Sequence, residues 1–362
     1  MILPTPGSQH GVALPVGHLA ITVTEAAEPL AGLCGFGARL HNPARPFLVV
    51  SRVLGKHVPV APWRMALIHR ALADRLPSSM PGPICWIGLA ETATGLGAGV
   101  HEQWRTLVGR TDGDYFASTR RPPVGVEALT FAEPHSHAVQ HWLPAPPAGW
   151  QSRGYRTAVL IDDEITTGTT LANLSECLQR ALPSLEQIEQ VTIIDWSAQD
   201  AGKPIALARG QLSFLAHEAP SPWPQTLPDA EVTDTPTMSP HVTLPHTIVA
   251  IAERHRAVAG TRTLVLGSGE FLHRPFQFAA ALELMGERVW FQSTTRSPAM
   301  VWGEIGTALA FADPAEHDER RFLYNATRTA YDRILLCRAQ RDHPVSNALV
   351  SALDAQVVAL DA

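Results

Sequence analysis

Residues 159–170, VLIDDEITTGTT, constrain this chain more than any other segment. The run RTAVLID (156–162) is apolar and β-branched and predicts a buried strand. The run TLANLSECLQRAL (170–182) carries leucines at 171, 174, 178 and 182, the spacing of one face of a helix. Between them stand Asp162, Asp163, Thr166, Thr167, Gly168, Thr169 and Thr170. A glycine among hydroxyl residues permits a tight turn. The backbone N–H groups of 166–170 can then converge on an anion at the helix N-terminus, where the helix dipole favours negative charge. Adjacent carboxylates repel that anion. They are suited instead to accept hydrogen bonds from sugar hydroxyls, or to hold magnesium through water. A bare helix cap needs neither two acids nor five loop residues. The segment therefore predicts a site for a sugar phosphate.

Further strands are predicted at 46–51 (PFLVVS), 83–90 (PICWIGLA) and 190–196 (QVTIIDW), and a helix at 64–76 (RMALIHRALADRL). Apolar strands separated by helices imply an α/β class with a parallel sheet covered on both faces. In such sheets ligands bind outside the carboxyl ends of the strands. From Ala219 to His246 the chain is rich in Pro and Thr and lacks apolar periodicity, which predicts a linker. The expected organisation is thus residues 1–218, a linker at 219–246, and a smaller α/β domain at 247–362. In that domain a strand at 263–266 precedes Gly267-Ser268-Gly269-Glu270. A helix at 276–287 follows, and then a strand at 288–293 that leads into Thr294-Thr295-Arg296-Ser297. The plan is Rossmann-like, but GxGxxG is absent, so a dinucleotide is not supported.

The net charge of −6 argues against bulk nucleic-acid binding. Four dispersed cysteines without a CxxC pair argue against a disulfide framework or a zinc ribbon and fit a reduced, cytoplasmic setting. No signal peptide is read, and no apolar run approaches the roughly 20 residues that span a bilayer. Candidate anion-binding groups stand after predicted strands. Arg52, Gly55 and Lys56 follow the first. Glu91, Thr92 and the glycines at 95, 97 and 99 follow the second, where a phosphate-approaching turn and close helix–strand packing explain the glycines equally well. Arg120, Arg121, Glu133, His135, His137 and His141 lie in a long stretch without periodicity, the kind of segment that forms lids. Arg120 and Arg121 suit phosphate, and the Glu/His cluster suits proton transfer or pyrophosphate contact better than zinc.

VLIDDEITTGTT resembles the 5-phosphoribosyl-1-pyrophosphate (PRPP) signature of type I phosphoribosyltransferases, and GLAETATG looks like the matching segment of orotate phosphoribosyltransferase-like proteins. With FLVVSRVLGKH, FAEPHSHA, VLGSGEF and TTRSP, the resemblance extends over nearly the whole chain. It is to a phosphoribosyltransferase fused to a TRSP domain, as found in bacterial tellurite-resistance-associated stress operons. The resemblance implies that Asp162 and Asp163 contact the ribose hydroxyls and, through water, Mg2+. It implies that Thr166 to Thr170 wrap the 5-phosphate, and that Arg52, Gly55 and Lys56 receive pyrophosphate. Arg120, Arg121, Glu133, His135 and His137 would form a catalytic hood. Glu91, Thr92, Gly267 to Glu270 and Thr294 to Ser297 would hold the acceptor. The implied reaction is phosphoribosyl transfer to a small-molecule acceptor with inversion at C1, in the making of a nucleoside-like metabolite. Salvage enzymes for 6-oxopurines carry aspartate where this chain has Thr166, which disfavours that substrate class. The expected partners are PRPP and the acceptor, with neither nucleic acid nor membrane, and a homodimer stays open. The competing reading is a PRPP-sensing regulator without turnover. A fragment ending near Leu215 is expected to keep the PRPP site whole.

Overall fold

The computed structural model describes residues 7, 9–40, 42, 45–133, 140–197, 202–216, 242–316 and 319–361. The chain begins with β1 (Gln9–Leu14), β2 (Gly17–Ala26), a single turn α1 (Leu30–Leu33), β3 (Cys34–Ala38), β4 (Phe47–Ser51) and α2 (Pro62–Ala73). Next come β5 (Ile84–Gly88), α3 (Ala93–Val108), β6 (Gly113–Ala117), β7 (Ala128–Ala132), β8 (Gln140–Pro144), β9 (Thr157–Ile165), α4 (Thr169–Ala181), β10 (Gln187–Asp195) and β11 (Ile205–Ala216). The remainder holds α5 (His246–His255), β12 (Arg262–Gly267), α6 (His273–Leu284), β13 (Arg288–Ser293), β14 (Ala308–Asp313), β15 (Glu319–Tyr324), β16 (Arg333–Arg338), α7 (Asn347–Leu353) and β17 (Gln356–Ala359).

Two compact units result. The first groups the described residues of Met1–His10, Ile21–Leu30 and Ile68–Leu212; the second groups Gly11–Ala20, Ala31–Leu67 and Ser213–Ala362. This differs from a single cut at residue 218, because 31–67 join the C-terminal part. Of the expected linker, 219–241 lie outside the described residues, and α5 starts at His246.

The first unit is built on parallel strands. β10 pairs with β11 and β9, β9 with β5, and β5 with β6, all in parallel. β2 and β1 extend this sheet beyond β11. Ile84 to Gly88 and Thr157 to Ile161 are buried throughout, as expected for strands covered on both faces. Because the strands run the same way, the ends of β5, β6, β9 and β10 share one edge. The glycines at 95, 97 and 99 fall inside α3, not in a turn. Close packing is their reason: a Cβ on Gly97 would lie 3.0 Å from the Cα of Gly88, and one on Gly99 2.1 Å from Nδ1 of the buried His69. Gly99→Ala is therefore expected to destabilise the protein by roughly 1–3 kcal/mol through overpacking. A lowered denaturant midpoint at unchanged slope checks this, and an unchanged midpoint would refute it.

The second unit carries a four-stranded parallel sheet, order β13-β12-β16-β17. The expected strand, glycine loop, helix and strand are all present. Buried Glu287 ties the layer together: it accepts from Arg333 at 2.6 Å and from the Thr263 hydroxyl at 2.5 Å. The strand expected at 46–51 is β4, but it is not in a parallel sheet. It pairs antiparallel with β3, and Leu48 and Val50 pack with Ala299, Ile305 and Tyr324. Val60, Met65 and Ala66 likewise join a core with Ile248, Phe276 and Phe291. An apolar run demands burial, but it does not name its partner strand.

Candidate phosphoribosyl site

The strand β9 runs on past the apolar residues, through Asp162, Asp163 and Glu164 to Ile165. The turn is thus shorter than expected: Thr166 and Thr167 bend, and Gly168 takes φ 76° as the residue before α4. Left-handed backbone at that point favours glycine. The hydroxyls of Thr167 and Thr169 stand 3.0 Å apart, and the first turn of α4 contains no acid. That turn leaves the same end of β9 that carries the two aspartates. Asp162 accepts the amide of Asp163 at 2.9 Å. Burial pushes the Asp162 carboxyl well above the ordinary carboxylate range, and the charges of Asp163 and Glu133 push it further.

Beside β9, Gly88 of β5 is level with Ile161, and the amide of Leu89 donates to the Ile161 carbonyl at 3.0 Å. The loop 89–92 therefore adjoins Asp162. It leads into α3, which has no acid in its first turn. Glu91 and Thr92 are buried here, and the Thr92 hydroxyl has no hydrogen-bond partner among the described residues. From β6 come Ser118, Thr119 and Arg120. The region expected to lack regular structure forms the hairpin β7–β8, whose Thr119 and Trp142 bridge joins it to the end of β6. The hairpin is also held by α4: Asn173 donates to the Ala132 carbonyl at 2.9 Å, and Cys177 to that of Thr130 at 3.6 Å. Glu133 at the end of β7 bonds Arg120 at 2.8 Å and His141 Nε2 at 2.6 Å. The amide of Arg121 donates to the Thr119 hydroxyl at 3.2 Å. His135 and His137 lie outside the described residues.

The structure thus brings Asp162, Asp163, Thr166–Thr170, Glu91, Thr92, Arg120 and Glu133 to one sheet edge. Ser118 went unnoticed in the sequence, since a lone serine after a short strand carries no signal. Its role appears only once His141 is placed beside it.

The loop with Arg52, Gly55 and Lys56 is a correction. It follows an antiparallel strand of the second unit, not the first strand of the parallel sheet. Arg52 is engaged by Glu304 at 2.5 and 3.0 Å and by the Ala31 carbonyl at 2.7 Å. Gly55, at φ 65°, leaves no room for a Cβ against the Phe291 carbonyl, and its own carbonyl accepts the Ser293 amide at 2.6 Å. The Lys56 carbonyl accepts from Gln292 at 3.4 Å.

Gly267–Glu270 and Thr294–Ser297 do meet, as a cluster of the second unit. Gly267 and Ser293 are level at the carboxyl ends of adjacent parallel strands, and the Gly269 amide donates to the Thr294 hydroxyl at 3.0 Å. The Ser268 hydroxyl donates to Asp313 at 3.1 Å, and Arg296 lies 3.6 Å from Glu319.

Residues 33–216 match the family described as phosphoribosyl transferase, and residues 237–353 match the TRSP domain described as C-terminal to it. No curated protein matches the chain. Similar solved structures include adenine phosphoribosyltransferase from Rhodothermus marinus, at 14% identity and a TM-score of 0.34, covering 50% of this chain and 96% of that one. Another is the Giardia lamblia enzyme complexed with 9-deazaadenine, at 16% identity and a TM-score of 0.35, covering 51% and 98%. A hypoxanthine phosphoribosyltransferase from Staphylococcus aureus is 18% identical with a TM-score of 0.28, covering 43% and 77%. At these scores the family match identifies the chain, and the structural likeness does not. The parallel sheet, the acid pair before a threonine-rich helix start and the family match together place the chain in the phosphoribosyl transferase family, in the form that carries a TRSP domain behind it.

Proposed function

We propose that the protein binds PRPP across the ends of β5 and β9 and transfers its phosphoribosyl group to a small-molecule acceptor, releasing pyrophosphate. The observation that carries this reading is the pairing of two helix N-termini on adjacent parallel strands. The start of α4, with Thr166–Thr170, suits the 5-phosphate. The start of α3, with the loop 89–92 and the unpartnered Thr92 hydroxyl, suits the diphosphate. Asp162 and Asp163 stand where the ribose would join the two. PRPP has this order of groups: phosphate, ribose hydroxyls, diphosphate.

Magnesium fits this site in one way. Burial and the charges of Asp163 and Glu133 disfavour the ionised form of Asp162, a cost that a divalent cation beside it would offset. Among the described residues, however, no group of three ligands is gathered closely enough to hold a metal by itself. Asp162 and Asp163 would therefore hold the ion through water while the ligand's phosphates supply other oxygens, where it would neutralise charge on the diphosphate. The chain's own contribution is positioning and electrostatics. The aspartates orient the ribose, the α4 turn anchors the 5-phosphate, and Arg120 faces the charge that grows on the leaving group. The acceptor attacks C1 from the opposite face and inverts it. Glu91 would border the acceptor.

Pyrophosphate release from PRPP and magnesium, screened over nucleobases and small acids, tests the reading; no release with any acceptor would favour the PRPP-sensing regulator. Arg120→Ala is expected to lower turnover about 100-fold and PRPP affinity about tenfold, the excess loss in turnover being the mark of a contact made mainly in the transition state. Equal losses in both would assign Arg120 to ground-state binding. No helix among the described residues is long and apolar enough to cross a membrane.

A further inference from the structure

Five residues close a hydrogen-bonded ring at the mouth of α3. The Ala90 amide donates to Ser118 Oγ at 2.9 Å. Ser118 Oγ lies 3.2 Å from His141 Nδ1, and His141 Nε2 lies 2.6 Å from Glu133 Oε2. The same Glu133 oxygen takes Arg120 at 2.8 Å. Arg120 returns to the starting residue, donating to the Ala90 carbonyl from two nitrogens at 3.3 and 3.4 Å. Ser118 and His141 are each 1% exposed. The directions of the bonds follow from the groups. Glu133 paired with Arg120 only accepts, so His141 Nε2 donates to it. Nδ1 of a neutral imidazole is then an acceptor, and the Ser118 hydroxyl donates to it. Both backbone groups of Ala90 are spoken for.

A Ser–His–Glu chain also suggests a nucleophile, but the placement argues against that. Ser118 is buried, and its oxygen is already used by the Ala90 amide. What the ring controls is the loop 89–92. Leu89 and Ala90 link the end of β5 to the pair Glu91–Thr92 that precedes α3, so fixing the amide and carbonyl of Ala90 fixes the direction of that loop. The ring's far side is the β7–β8 hairpin, which Asn173 and Cys177 attach to α4. Through the hairpin the ring is thus tied to the body of α4.

We infer that Ser118 and His141 are positioning residues that preset the loop 89–92 for the diphosphate end of the ligand, with Glu133 and Arg120 closing the ring. This rests on the PRPP reading above. It predicts a split between two ligands that share the α4 end and differ at the α3 end: ribose 5-phosphate and PRPP with magnesium. In calorimetry on the full chain, Ser118→Ala is expected to weaken PRPP binding at least tenfold and ribose 5-phosphate binding less than twofold. Ser118→Thr, which keeps the hydroxyl, is expected to restore PRPP affinity. His141→Asn retains a polar group beside Ser118 but cannot reach Glu133. It is expected to reproduce the Ser118→Ala pattern, and makes the same test should that variant fail to fold. Equal losses for both ligands, or no loss for either, would overturn the inference. If the wild-type chain binds ribose 5-phosphate and PRPP equally well, the diphosphate has no site at α3 and the inference falls alone. If it binds neither, the PRPP reading itself falls first.

Discussion

Replacing Asp162 and Asp163 together by asparagine is expected to abolish the rise in melting temperature that PRPP with magnesium gives the full chain, while raising the melting temperature of the ligand-free protein. The two effects share one cause. Burial and the charges of Asp163 and Glu133 raise the Asp162 pKa above its unfolded value. The folded state therefore disfavours the ionised form. For an acid with a raised pKa, the associated stability is present below the unfolded value and is lost as pH rises through the folded one. At neutral pH the cost is in force, and asparagine removes it while keeping an oxygen for the Asp163 amide. Ligand binding then loses both ribose acceptors and the carboxylates for magnesium. A ligand at about 100 times its dissociation constant stabilises by about 2.7 kcal/mol, which for a unit of this size is a shift of roughly 5–10 °C. Thermal melts of both proteins, with and without ligand and across pH, check the pair of signs. A retained ligand shift would place PRPP elsewhere, and a lower ligand-free melting temperature would mean that Asp162 is held by favourable contacts.

A fragment ending near Leu215 is expected to fail as a folded protein, in contrast to what the sequence suggested. Every residue proposed for the PRPP site lies before that point. The residues at 31–67, however, belong to the core of the second unit. Truncation exposes Leu48 and Val50, which pack with Ala299, Ile305 and Tyr324, and Val60 and Met65, which pack with Phe276 and Phe291. At about 1.5–3 kcal/mol for each buried side chain, four such exposures cost roughly 6–12 kcal/mol. That is comparable with the about 5–15 kcal/mol that holds a domain together. Arg52 also loses Glu304. The expected result is low soluble yield, rapid proteolysis and no cooperative melt, while the intact chain melts cooperatively. A fragment that melts sharply and responds to PRPP would show that 31–67 fold without their partners.

The strand and helix on either side of Asp162–Thr170 were legible because local chemistry specifies them. An apolar run predicts burial at 157–161, leucines at helical spacing predict α4, and a glycine between threonines predicts the turn at Gly168. The α/β class and the strand–loop–helix–strand start of the second unit follow from the same periodicities. β1 and β11 were not legible, because their strands mix polar and apolar positions without a clear boundary; β2 does alternate, with Leu19, Ile21 and Val23 buried between more exposed neighbours, as a strand with one covered face does. Nor did the glycines of α3 reveal themselves as packing residues until Gly88 and His69 stood against them.

Long-range choice of partner is what only the tertiary structure decided. FLVVS has the composition of a parallel core strand, yet it pairs with β3 and sends Arg52 to Glu304, 252 residues away. Likewise, nothing local connects Ala90, Ser118, Glu133 and His141. They form a ring because parallel pairing puts the ends of β5 and β6 side by side and the β7–β8 hairpin folds against them. Backbone propensity and burial act over a few residues and can be read in order along the chain. Hydrogen-bond closure between distant segments depends on which strands become neighbours, and that is settled by the packing of the whole unit.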